Sequence, residues 1–197
     1  MTATNIDRRS VLRELFPESA GLLFVAGLAG AARDAAAFTL DGSHLFALGG
    51  AMGAATMIGL GMAIGAPDRR VVVITGDGEL LMNIGALATI ANAGPPNLAV
   101  VCLDNGRHGE TGNQPGHTAK RTDLEVMARG AGFTQTMTAG QWDDLPMAAR
   151  FVDTPGEPRF LAIKIMDTPP SAARRLMDPA ACRLRFRDAI LMQRRGP

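Results

Sequence analysis

Residues 71–83 read VVVITGDGELLMN, an apolar β-branched run that ends in Gly76-Asp77-Gly78 and passes into chain with helical spacing. Four apolar residues and a threonine, without polar alternation, suit a strand buried on both faces, the habit of parallel sheets. Similar runs recur at 21–26, HLFAL (44–48), LAVVCL (98–103) and FLAIKIM (160–166), with FTQTM (133–137) a weaker one. Helical spacing fills the intervals at 6–16, 29–37, 79–93 and 141–152. The glycine-rich GGAMGAATMIGLGMAIGAP (49–67) reads as a turn and a tightly packed helix. Another helix follows Thr122-Asp123 as cap, and Gly94-Pro95-Pro96 stops the 79–93 helix. Strands alternating with helices predict an α/β fold, a three-layer α/β/α sandwich with a mainly parallel sheet. No linker or repeat divides the chain, so one domain spans 1–197, with 167–197 an extension of irregular chain and a short helix.

At 197 residues, 47% hydrophobic and net charge +1, the composition supports a substantial core and excludes disorder. Near-neutral charge gives no expectation of a nucleic-acid or membrane partner. Cys102 and Cys182 lack metal-ligand spacing and fit a reduced, cytoplasmic protein. Arg8-Arg9 before the apolar stretch 20–32 superficially looks like an export signal. Glu14, Pro17 and Glu18 interrupt it, and the stretch is too short to span a bilayer.

Ligands of parallel sheets sit at the carboxyl ends of strands, which directs attention to the loops after 48, 75 and 103. In Gly76-Asp77-Gly78 the glycines admit close backbone approach, and the next helix offers free amides to an anion. An aspartate there would repel phosphate unless a cation stood between them. Mg²⁺ suits, since it takes one or two protein oxygens together with phosphate oxygens. Between Gly78 and Asn105 stand 26 residues (79 to 104), room for one helix and one returning strand. That spacing sets Asp77 and Asn105 at adjacent strand ends. No GxxxxGK[ST] is present, and Gly59, Gly61 and Gly65 of GLGMAIG fit helix–sheet packing better than a dinucleotide turn.

GDG, about 26 residues and then Asn resembles the motif of thiamine diphosphate enzymes. GGAMG (49–53) looks like their aminopyrimidine-binding segment, and residues 78–115 are similar to the sulfopyruvate and phosphonopyruvate decarboxylase branch. The resemblance implies a thiamine diphosphate-binding fold, with Asp77, Asn105 and the carbonyl of Arg107 on Mg²⁺ and the amides of Gly78 and Glu79 on the diphosphate. It also implies that the Gly50 carbonyl and the Met52 amide and side chain hold the aminopyrimidine and bend the cofactor. The implied reaction is decarboxylation of a small 2-oxo acid, the thiazolium taking up the electron pair left behind.

About 40 residues precede the cofactor segment, too few for the pyrimidine-binding domain that supplies the family's activating glutamate. The expectation is a β-type subunit completed by a separate α-type subunit. Glu14 and Glu18 are poor substitutes for that glutamate. In the loop GRHGETGNQPGHT (106–118), His108 and Glu110 are candidate proton carriers. Gln114 is a candidate substrate hydrogen-bond partner and His117 a further candidate; an ordered surface loop is the plainer alternative. GNQPG (112–116) departs from the GGQPT of the phosphonopyruvate branch, which leaves the substrate open. Lys120 and Arg121 read as solvated, Leu80, Ile84 and Leu87 as core, Leu81 and Met82 as added packing, Trp142 as a packing residue. Arg183, Arg185 and Arg187 point to solvent or a neighbouring subunit. Acyl transfer of the acetolactate synthase type and a non-catalytic cofactor-binding subunit are the alternative functions.

Overall fold

A computed structural model describes residues 4–19 and 21–194. Ala20, which opens the apolar stretch 20–32, and the last three residues of the 167–197 tail lie outside the described residues. Strands β1 (Leu23–Ala26), β2 (Leu45–Ala47), β3 (Val71–Gly76) and β4 (Leu98–Asp104) come first, with helices α1 (Arg8–Leu15), α2 (Ala29–Thr39) and α3 (Ala55–Gly65) among them. Between β3 and β4 run α4 (Asp77–Met82) and α5 (Ala86–Ala93). A two-stranded hairpin, β5 (Arg107–His108) and β6 (Gln114–Pro115), precedes α6 (Leu124–Gly130) and β7 (Gln135–Ala139). A 3₁₀ turn at Trp142–Asp144, α7 (Leu145–Asp153), β8 (Arg159–Lys164) and α8 (Pro179–Arg194) complete the described chain.

The six-stranded sheet has the order β2-β1-β3-β4-β8-β7, every pair parallel. Its residues alternate between two cores, as the strand period requires. Val72, Ile74, Ala99 and Val101 face one apolar layer with Val11 and Leu12 of α1, Ala32 and Ala35 of α2, and Ala148 and Val152 of α7. Val71, Val73, Leu98 and Val100 face the other with Leu60, Leu87, Ala128 and Phe186 of α3, α5, α6 and α8. Small residues let α2 and α3 approach closely. A Cβ on Gly59 would lie 2.1 Å from Cγ2 of Val73, whereas one added on Gly61 or Gly65 would meet nothing within 4 Å. Packing therefore accounts for only one of those three glycines.

Four local expectations change. The single helix expected over 79–93 is broken at Asn83, whose φ of −139° leaves the helix while its Nδ2 donates to the carbonyl of Gly53 at 3.0 Å. Strand β7 begins two residues later than expected, because the Phe133 amide closes α6 on the Ala128 carbonyl and Gly132 turns at φ +107°. The tail helix is long, 16 residues, since Cys182, Phe186 and Ile190 recur at helical spacing and are buried. Within it Arg185 meets Asp41 of the same chain at 3.1 Å, and Arg187 pairs with Asp188. Trp142, expected to pack, is 36% exposed, and its main-chain N–H donates to Asn5. No helix among the described residues is long and apolar enough to cross a membrane.

Candidate active site

From β1 the chain crosses to β2 on one side, and from β3 onward it builds the other side. The strand order reverses between β1 and β3, where doubly wound sheets open a crevice at their carboxyl ends. A cleft of about 590 Å³ lies there, walled by residues following β1, β2, β3, β4 and β8. Met52, Asp77, Gly78, Glu79, Asn105, Arg107, His108 and Glu110 all line it. Gly50 belongs to the exposed loop beside Met52 and is not part of the lining. Gln114, His117, Lys120 and Arg121 also stand outside. Met82, expected to pack, is instead 64% exposed on the cleft wall.

Glu79 turns its side chain away from solvent and is 4% exposed. Its Oε2 accepts from the Leu28 amide at 3.0 Å and the Thr75 hydroxyl at 3.2 Å, and Oε1 accepts from the Gly53 amide at 3.4 Å. One carboxylate thus joins the loops after β1 and β2 to the turn after β3. Gly27 is required by this arrangement, since a Cβ there would stand 1.8 Å from Oε2. Around Met52 the backbone is sharply turned, with Ala51 at φ +60° and Gly53 at +85°. That conformation suits glycine and strains alanine.

Asp77 is 3% exposed and Asp104, at the end of neighbouring β4, is 2% exposed. Burial, and then the Asp104 charge, push the Asp77 carboxyl up to about 6, against a weaker downward pull from the Thr118 hydroxyl. The Thr118 hydroxyl stands 3.0 Å from Oδ2 of Asp77 and 2.7 Å from Oδ1 of Asp104, so its one proton serves either acceptor but not both. Asp104 has further partners in the Gly106 amide at 2.9 Å and Lys164, its register neighbour on β8. Asp77 therefore carries the less compensated charge. A divalent cation beside it would supply what is lacking, so the residues present fit such an ion. Among the described residues no three His, Cys, Asp or Glu cluster as a metal set. An ion here would draw on one carboxylate, an amide oxygen, a main-chain carbonyl and oxygens of a bound anion, the set Mg²⁺ accepts.

The segment after β4 folds back as the β5–β6 hairpin, closed by the Gly116 amide on the Gly106 carbonyl at 2.6 Å. It carries His108 against the turn after β3, with Nδ1 only 3.3 Å from where a Gly78 Cβ would sit. His117 packs edge-on against His108, ring centroids 5.9 Å apart. Glu110 reaches Arg33 of α2 at 3.7 Å, both side chains half exposed. Gln114 spends its amide on Thr111 at 2.9 Å. Asp104, Thr118, Asp167 and the inward role of Glu79 lie beyond what the motif spacing reads. Asp104 and Asp167 follow apolar strand runs, so their strand-end positions were a usable signal; Thr118 offered none.

These features define a doubly wound α/β domain with a cleft at the crevice between β1 and β3, where such sheets take their ligands. The chain belongs to the thiamine pyrophosphate enzyme, C-terminal TPP binding domain family, which matches residues 30–154. It is 45% identical over 101 residues to sulfopyruvate decarboxylase subunit beta of Methanocaldococcus jannaschii, covering 51% of this chain and 53% of that one. Phosphonopyruvate decarboxylase of Streptomyces hygroscopicus is 43% identical over 112 residues, covering 56% of this chain and 27% of that one. The chain thus spans about half, or less, of the length of these relatives. The fold superposes on 2-oxoglutarate:ferredoxin oxidoreductase from Magnetococcus marinus with TM-score 0.63 at 16% identity, covering 84% of this chain and 64% of that one.

Proposed function

We propose that this chain is the β-type subunit of a Mg²⁺- and thiamine diphosphate-dependent 2-oxo acid decarboxylase acting on a sulfonated or phosphonated pyruvate. A separate α-type chain carrying the pyrimidine-binding domain and the activating glutamate would complete its site. The observation that carries the reading is the buried, under-compensated Asp77 carboxylate in one cleft with Asn105 and Arg107, in a chain of the thiamine pyrophosphate family. The likeness to the beta subunit of a sulfopyruvate decarboxylase supports the division of labour.

In this reading Asp77, Oδ1 of Asn105 and the carbonyl of Arg107 hold Mg²⁺, and the amides of Gly78 and Glu79 meet the diphosphate. The carbonyl of Gly50 and the amide and side chain of Met52 meet the aminopyrimidine. When bound, thiamine diphosphate supplies the electron sink for decarboxylation. The residues of this chain bind and orient it, and the cleft limits water around the reacting groups. His108 and Glu110 are the candidates to hold or move a proton; His108 lies against the turn after β3 and Glu110 at the cleft wall beside Arg33.

The test is CO₂ release from sulfopyruvate, phosphonopyruvate and pyruvate by this chain alone and together with a co-expressed candidate α chain. Activity is expected only with both chains, Mg²⁺ and thiamine diphosphate. Full turnover by the isolated chain would overturn the split site. A carbon–carbon coupled product instead of an aldehyde would reassign the reaction to acyl transfer.

A further inference from the structure

Asp167, just beyond β8, touches three residues of the segment after β4. Its Oδ1 accepts from Nδ2 of Asn105 at 3.4 Å, its Oδ2 accepts from Nδ2 of Asn113 at 3.0 Å, and Nε of Arg107 stands 3.6 Å from Oδ2. The Arg107 and Asp167 side chains are 40% and 38% exposed, and ion pairs so placed contribute little to stability. What these contacts do is set direction. A carboxylate only accepts, so Asn105 must turn its NH₂ toward Asp167. From the other side the main-chain N–H of Arg107 donates to Oδ1 of Asn105 at 3.2 Å, which enforces the same orientation. The Arg107 side chain is also held twice, by Asp167 and by the Asn113 carbonyl, which accepts from Nη1 at 3.2 Å.

We propose that Asp167 is the positioning residue of the cation site, fixing the Asn105 amide and the Arg107 peptide so that two neutral oxygens are presented together beside Asp77. This rests on the function proposed above, since it takes Mg²⁺ as the ion. Partners that orient metal ligands are worth about 10–100-fold in metal affinity. Mg²⁺ demands near-octahedral geometry while Ca²⁺ tolerates irregular sites, so loss of the orienting group falls hardest on Mg²⁺.

The experiment is calorimetric titration of the full chain in complex with its co-expressed candidate α chain, with MgCl₂ and with CaCl₂ at saturating thiamine diphosphate, for wild type, Asp77→Ala, Asp167→Ala and Asp167→Asn. Asp167→Ala is expected to weaken Mg²⁺ by about 10–100-fold and Ca²⁺ by less, with the melting temperature of the ligand-free chain unchanged. Asp167→Asn keeps one acceptor oxygen and should fall between; if Asp167→Ala does not fold, it decides the matter alone. Wild-type Mg²⁺ affinity in these variants, or an equal loss for both ions, overturns the proposal. Wild type that takes up no Mg²⁺, or Asp77→Ala that binds it normally, overturns the underlying functional reading instead.

Discussion

Asp77 and Asp104 share the single hydroxyl proton of Thr118, at 3.0 and 2.7 Å. Thr118→Val removes that proton and leaves two buried carboxylates facing each other. A loss of about 1–3 kcal/mol is expected, the cost of an unmet buried acceptor. Thr118→Ser should retain most of the stability. Urea denaturation in EDTA separates the two variants, and equal midpoints would remove the hydroxyl's role.

The raised pKa of Asp77 predicts how stability responds to pH. The folded chain holds this proton up to about pH 6, whereas its ordinary value is 3.8. Between those values the folded state binds more protons, so stability falls as pH rises through the window. The full cost, reached above about pH 6, is about 3 kcal/mol. Asp77→Asn should therefore be more stable than wild type at pH 7.5 without divalent ions, the difference shrinking as pH falls and vanishing below the ordinary value of 3.8. Mg²⁺ affinity of the wild type should weaken below about pH 6, where the ion must displace the proton. A flat difference between Asp77→Asn and wild type across pH 4–7.5 would contradict this.

Glu79 accepts from two amides and a hydroxyl while almost wholly buried. Glu79→Gln sets an NH₂ against at least one donor, at an expected cost of about 1–3 kcal/mol. Gly27→Ala attacks the same contact sterically, with its Cβ 1.8 Å from Oε2. Both should lower the melting temperature and expose the 27–28 turn and the 49–53 loop to protease together. Normal protease resistance in both would show the loops to be held by other means.

Gly59 and Gly61 differ by two positions in α3 and in sign of effect. Gly59→Ala meets Val73 at 2.1 Å, whereas Gly61→Ala meets nothing within 4 Å. The first should cost about 1–3 kcal/mol through overpacking, and the second should gain about 0.5–1 kcal/mol from the helical backbone. Chemical denaturation of the two variants tests the contrast directly.

The sheet was legible because VVVIT, LAVVCL and FLAIKIM bury both faces, a pattern strong enough to survive without side-chain detail. The GDG turn and Asn105 were legible through spacing, and the structure brings them to one cleft. What stayed hidden depends on tertiary partners. Asn83 breaks a helical pattern because Gly53, 30 residues earlier, offers a carbonyl. Glu79 is an ordinary first-turn acid until Gly27 opens space for it. Thr118 and Asp167 act through residues 41 and 62 positions away, distances no local periodicity encodes. Met82 follows the helical spacing of its neighbours yet lies open on the cleft wall.

The insertion of β8 between β4 and β7 also imposes an order on synthesis. Strands β1 to β4 can pair as soon as residue 104 has emerged from the ribosome, whereas β7 has no neighbour in the sheet until 159–164 appear. Nascent chain ending before that point would carry an open β4 edge, the kind of exposed strand that invites wrong pairing. Lys164 and Asp167 arrive with and just after β8 and meet Asp104 and Asn105, so this part of the sheet's carboxyl edge is completed only once β8 has been made.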